Sequence, residues 1–159
     1  MIGIECNADE VLLKTLGIPG KNLKHAQGRG QVCHYVERGI VSMGLVDEDP
    51  ESLYTLPELL RNRQPEELPY GLKVYRGTQR GKRWRVVVFC PRLEEWILQA
   101  AKEAGVNPSQ FALSDSGERL HRDLSTGDPE PMERFSMLVK ELKNRRSPRL
   151  RELKRLLRI

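Results

Sequence analysis

Cysteine is scarce in this chain. It occurs only as Cys6, Cys33 and Cys90. An odd number at wide spacing fits reduced thiols in a cytosol, not a disulfide framework. No two cysteines form a CxxC pair, so no structural zinc site is expected. Long apolar runs are missing too. None approaches the roughly 20 residues that a membrane helix needs, so no membrane partner is expected. The opening MIGIECNADE has no basic region followed by an apolar one, so no signal peptide is read there. Neither an internal repeat nor a low-complexity segment is present. These absences predict a soluble, cytoplasmic protein.

What is there is charge. Charged residues make up 31% of the 159 and hydrophobic residues 38%, enough for a core but not a generous one. A chain of this length buries about two thirds of its unfolded surface. The net charge of +5 is uneven: residues 143–159 hold eight Lys/Arg against one acid, Glu152, a net +7 that leaves −2 for the rest. We read an α/β domain over residues 1–128 and a basic helical extension over 129–159. A mildly acidic body with a basic end suggests a polyanionic partner, of which nucleic acid, DNA or RNA, is the commonest. The alternative is a solvated helix that happens to be basic.

The pattern along the chain alternates strands and helices. IGIEC (2–6) reads as a strand. NADEVLLKTLG comes next as a helix with Asn7 as cap, Val11, Leu12 and Leu16 on one face, and Gly17 at its end. IPGKNLKHAQGRG reads as a loop, QVCHYVERG as a short helix, and IVSMGLVD as a second strand. A third helix is predicted over PESLYTLPELLRNR, interrupted or restarted at Pro57. PEELPYG reads as loop and LKVYRGTQRGKRWRVVVFC as a hairpin. PRLEEWILQAAKEAG is an amphipathic helix, and NPSQFALSDSGERLHRDL begins like another, capped by Asn107. After a break at STGDPEP, two helices cover about 131–146 and 149–158. Continuous apolar runs such as VVVF and IVSMGLV are what strands covered on both faces show. The pattern predicts a mostly parallel sheet flanked by helices.

Ligands of such sheets bind outside the carboxyl ends of the strands. Glu5 ends the first strand, Asp47 and Asp49 end the second, and Glu94 lies just beyond the last. If the first two strands are neighbours, Glu5, Asp47 and Asp49 converge. Clustered acids repel unless a cation or proton resolves the repulsion. Mg²⁺ does so, taking one or two carboxylates and keeping waters and phosphate oxygens. Asp47 and Asp49, two residues apart, share one side of an extended backbone. Against this, Asp49-Pro50-Glu51 is also a helix-start signal, with Asp49 as cap.

These residues resemble the Toprim domain of type IA topoisomerases, bacterial primases, recombination proteins and the OLD-family nucleases. The shared pattern is a strand-end Glu (Glu5), an acid four residues on (Asp9), and a second strand ending in D-x-D (Asp47 and Asp49). CPRLEEWIL, with Pro91, Glu94 and Trp96, resembles the helix start of small Toprim-like proteins of the RloB and OLD-related type. The match is discontinuous and covers about residues 2–98. It departs from the family at Cys6, where the family has Gly. The resemblance implies a Toprim/Rossmann-like fold, with Glu5 as the catalytic or metal-site carboxylate and Asp47 and Asp49 as ligands of one or two Mg²⁺ or Mn²⁺ ions, bound alone or only with substrate. Asp9 and Glu94 would be supporting acids. It further implies action on phosphodiester bonds, beside a partner protein such as an ATPase or as a homo-oligomer.

Basic residues complete the picture. Lys24 and Arg29, with Lys21 and His25, stand near where a substrate phosphate would sit, and Gly28 and Gly30 let the backbone approach an anion. The hairpin tip carries Arg80, Lys82 and Arg83 around Trp84, which either stacks on an unpaired base or faces the core. Arg145, Arg146 and Arg149 lead into a helix with Leu150, Leu153 and Leu157 on one face, able to dock on its own body, a partner or nucleic acid. Trp96, Ile97 and Ala100 fit a core-facing stripe. Two readings result: a metal-dependent, nuclease-like enzyme, or a non-catalytic scaffold that binds nucleic acid or a partner protein.

Overall fold

The sheet is built from six strands in the order β2-β1-β3-β6-β5-β4. We describe them from a computed structural model, which covers residues 1–49 and 56–158. Strands β1 (Ile2–Ile4), β2 (Leu23–His25), β3 (Met43–Asp47) and β6 (Lys82–Phe89) pair in parallel. Strands β5 (Leu72–Gln79) and β4 (Glu66–Leu68) add an antiparallel edge. The expected mostly parallel α/β sheet is present, and β1 and the second expected strand, β3, are neighbours.

By contacts the chain divides into two units. The sheet unit is Met1–Cys6 with Pro19–Arg92 and contains all six strands and helix α2 (Arg29–Glu37). Its core joins Val32, Cys33 and Val36 of α2 with Val46 of β3 and Trp84, Val86 and Val88 of β6. Gly44 is required here: a Cβ would come within 2.7 Å of Val32 Cγ1, so α2 lies directly on the strand backbone. The β5–β6 turn uses Arg80 (φ 50°) and Gly81 (φ 76°), both left-handed, as a two-residue hairpin demands.

The helical unit is Asn7–Ile18 with Leu93–Ile159. It holds α1 (Asn7–Thr15), α3 (Leu93–Glu103), α4 (Gly117–Ser125), α5 (Pro129–Asn144) and α6 (Pro148–Leu157). α1 packs on α5, and Lys143 Nζ donates to the Thr15 carbonyl at 3.2 Å. α6 buries Leu150, Leu153, Leu156 and Leu157, so its apolar face is docked within the chain. Trp96, Ile97 and Ala100 are buried as expected.

Several local expectations need correction. The stretch read as the loop IPGKNLKHAQGRG contains strand β2, and PEELPYG contains β4. Both are three-residue strands, too short to show a period. The buried face of α1 uses Leu13, with Val11 only half-buried. NPSQF forms a 3₁₀ turn capped by the Asn107 side chain, not a full helix; α4 starts afresh after Ser116, whose hydroxyl accepts from Arg119 N–H. The first six residues of the helix predicted from Pro50 lie outside the described residues; the described remainder, 56–63, holds a 3₁₀ turn at Glu58–Leu60 and no α-helix.

Candidate functional site

The carboxyl ends of β1 and β3 lie side by side in the sheet unit. Glu5 comes directly after β1, and its Oε1 accepts the Asp47 backbone N–H at 2.8 Å. Glu5 is thereby joined to the backbone of Asp47, the first acid of the D-x-D pair. Beyond Asp47 the chain continues to bond toward β6: Glu48 N–H donates to the Phe89 carbonyl at 2.9 Å and Asp49 N–H to the Pro91 carbonyl at 3.0 Å. Asp49 has φ 46°. Its left-handed backbone ends the extended alternation that would carry it to the side of Asp47, and it is not the extended conformation of a helix cap.

Glu48, between the two aspartates, gathers partners of its own. Its Oε2 accepts from Lys73 Nζ at 2.6 Å, and Cys90 Sγ stands 3.5 Å from the same oxygen. Arg29, the first residue of α2, donates from Nη1 to the Glu48 carbonyl at 2.6 Å. Arg29, Asp47, Glu48, Lys73 and Tyr75 line a cavity of about 180 Å³ floored by Val88. The hydrogen bond to Glu48 raises the pKa of Lys73 and keeps its ammonium charged. Burial, and then the Glu48 charge, push the Cys90 thiol up to about 12, and burial raises the Tyr75 phenol. The cavity is thus lined by the charged Lys73 ammonium and the neutral Tyr75 phenol, with the neutral Cys90 thiol beside Glu48.

Sequence reasoning missed Glu48, Lys73 and Tyr75. The signal was available in part: Lys73 and Tyr75 alternate with Leu72 and Val74, so they share one face of β5. That the face opens beside Glu48 depends on the register Lys73↔Val88, which no local pattern encodes.

The other expected residues have different surroundings. Asp9 on α1 and Glu94 on α3 are buried within the helical unit. Glu94 Oε1 lies 2.9 Å from His121 Nδ1, while its Oε2 has no hydrogen-bond partner among the described residues. Lys24 on β2 lies over the Tyr35 ring at 5.1 Å. Arg80, Lys82 and Arg83 are exposed at the hairpin tip. Trp84 is buried, with the Arg63 guanidinium 5.0 Å from its ring, so it faces the core and is no base-stacking platform. Arg145 bonds Glu141 and the Ala104 carbonyl, and Arg149 bonds both oxygens of Glu103 at 3.0 Å and covers Trp96. Those two arginines are engaged inside the helical unit; Arg146 is exposed.

Among the described residues, no group of three or more His, Cys, Asp or Glu side chains is gathered to hold a metal ion. No helix among them is long and apolar enough to cross a membrane. The chain matches no protein-family model, no curated protein and no solved structure.

Proposed function

We propose that the chain is a small Toprim-like protein acting on phosphodiester bonds of nucleic acid, with Mg²⁺ or Mn²⁺ held by Glu5 and Asp47. The observation that carries this reading is the bond from Asp47 N–H to Glu5 Oε1, which joins two strand-end acids at the carboxyl edge of adjacent parallel strands. Ligands of open α/β sheets bind at that edge. The donor set suits the ion in kind and number: Mg²⁺ takes hard oxygens, needs only one or two protein carboxylates, and fills its shell with water and phosphate oxygens. A carboxylate that accepts one N–H keeps further lone pairs. Bound there, a divalent ion would polarise a scissile phosphate and acidify a water.

The chain's own residues have separable tasks on this reading. Asp47 N–H orients the Glu5 carboxylate. Lys73 neutralises Glu48, which lowers the negative charge that an incoming phosphate meets. Arg29, anchored on the Glu48 carbonyl, sets a guanidinium at the mouth, where it can donate to a phosphate oxygen. Asp49 stands beyond the pair and is assigned no ligand role.

The scaffold reading has one observation in its favour: no third ligand joins the pair among the described residues. One experiment separates the two. Labelled single- and double-stranded DNA and RNA are incubated with wild type, Asp47→Asn and Glu5→Gln in Mg²⁺, Mn²⁺ or EDTA. Cleavage that needs the metal and is lost in Asp47→Asn is expected. Full cleavage by that variant overturns the assignment, and salt-sensitive binding without cleavage by wild type establishes the scaffold.

A further inference from the structure

We infer that the sheet unit carries a second ligand site, for a nucleotide, at the opposite end of its strands. The β5–β6 hairpin outruns its neighbour. Met43, the first residue of β3, pairs with Arg85, so Lys82, Arg83 and Trp84 project beyond the start of β3. Three residues of overhang make a step of about 10 Å. The connection from α2 to β3 fills only part of that step. The rest is a cavity of about 360 Å³, within the range of sites for small organic ligands.

Its lining has two parts. Arg38 comes from the end of α2, and Arg80, Lys82 and Arg83 from the hairpin. None of these four has a carboxylate partner among the described residues. Some cations elsewhere meet an acid, as Lys73 meets Glu48, Arg76 meets Glu66 and Arg149 meets Glu103. Four uncompensated charges around a concavity repel one another and focus a positive potential into it, which an anion relieves. The second part is apolar. Ile40 is 46% exposed, and Trp84 forms a buried wall. Clustered cations beside an apolar surface match a ligand with phosphate at one end and a flat, weakly polar body at the other.

The site is distinct from the carboxylate edge. Lys82 and Phe89 lie seven residues apart on one strand, roughly 23 Å, and Phe89 is the partner of Asp47. Binding here needs no divalent ion and no cleavage, so it stands or falls apart from the phosphodiester reading. The nucleotide is either free or one unit of a longer strand.

The test measures fluorescence anisotropy of two probes on the full chain in EDTA, a fluorescent ATP analogue and a labelled twelve-residue oligothymidine. The variants are Arg80→Asn with Arg83→Ser, Ile40→Glu, Asp47→Asn, and a charge-matched control, Arg119→Ser with Lys140→Ser, two exposed cations of the helical unit. Asparagine is chosen because it tolerates the left-handed backbone at Arg80. Loss of charge-assisted bonds should weaken binding by about tenfold or more in the Arg80/Arg83 variant. Ile40→Glu should weaken it too, while Asp47→Asn and the control leave it near wild type. Tight binding of the ATP analogue identifies a free nucleotide. Binding of the oligothymidine alone identifies a strand, provided the variants rank the same way. Equal weakening in the control, loss only in Asp47→Asn, or no binding of either probe overturns the inference.

Discussion

Glu5 has two possible duties, and a pair of substitutions separates them. As a structural group it accepts the Asp47 N–H at 2.8 Å. As a chemical group it supplies charge. Glu5→Gln keeps the shape and an acceptor oxygen but removes the charge. A hydrogen bond to a charged group contributes about 1.5–3 kcal/mol and a neutral one about 0.5–1.5. The change should therefore cost about 1–1.5 kcal/mol. For a chain of this size that lowers Tm by about 2–6 °C. Glu5→Ala removes the acceptor and leaves a half-buried N–H unmet, so its loss should be larger, about 1–3 kcal/mol. Thermal unfolding followed by circular dichroism gives both numbers. Cleavage of a labelled oligonucleotide in Mg²⁺, well below either Tm, reads the chemistry. If Glu5 is part of the site, the two variants differ in stability but are equally inactive. Full activity in Glu5→Gln with the predicted Tm loss would make Glu5 a structural bracket only. An unchanged Tm in Glu5→Ala would refute the geometric argument itself.

Two further outcomes are expected. Burial pushes the Cys33 and Cys90 thiols from 9.0 up to about 12, and the Glu48 bond raises Lys73 from 10.5. Groups whose folded pKa is raised contribute stability that is full below the unfolded value and lost above it. The urea midpoint should hold to about pH 9 and fall toward pH 12, less steeply in Cys90→Ala; a flat profile from pH 8 to 10.5 contradicts this. In the sheet unit, Gly77→Ala would bring a Cβ within 2.6 Å of Trp84 Cε2. Overpacking of that kind costs about 1–3 kcal/mol and should shift the tryptophan fluorescence, and an unchanged Tm would show that the indole moves freely.

The architecture was legible where period and punctuation agreed. The β5–β6 hairpin showed alternation broken at Arg80-Gly81, and α3 showed a helical stripe ending near Gly105. Strand β2 was illegible because three residues among Gly and Lys carry no period; it forms because Ile2, Gly3 and Ile4 offer a free edge. The candidate site was half legible. Glu5 and Asp47 could be found because they end apolar runs and sheets bind at such ends. Glu48 could not, since a triplet DED gives no sign that its middle residue meets Lys73, 25 positions away. In the basic tail, the pairing of Arg145 with Glu141 and of Arg149 with Glu103 was not legible either. Composition counts charges but is blind to the acids they meet.

The packing of α1 on α5 has a consequence for the order of assembly. Thr15 and Lys143 are 128 positions apart. During synthesis at about 5–20 residues per second, the first helix waits several seconds for the partner that completes its unit. Leu12 and Leu13, buried in the finished chain, stay uncovered by α5 throughout that interval. A ribosome stalled before α5 would therefore display an apolar helix near its N-terminus, a natural handle for a chaperone.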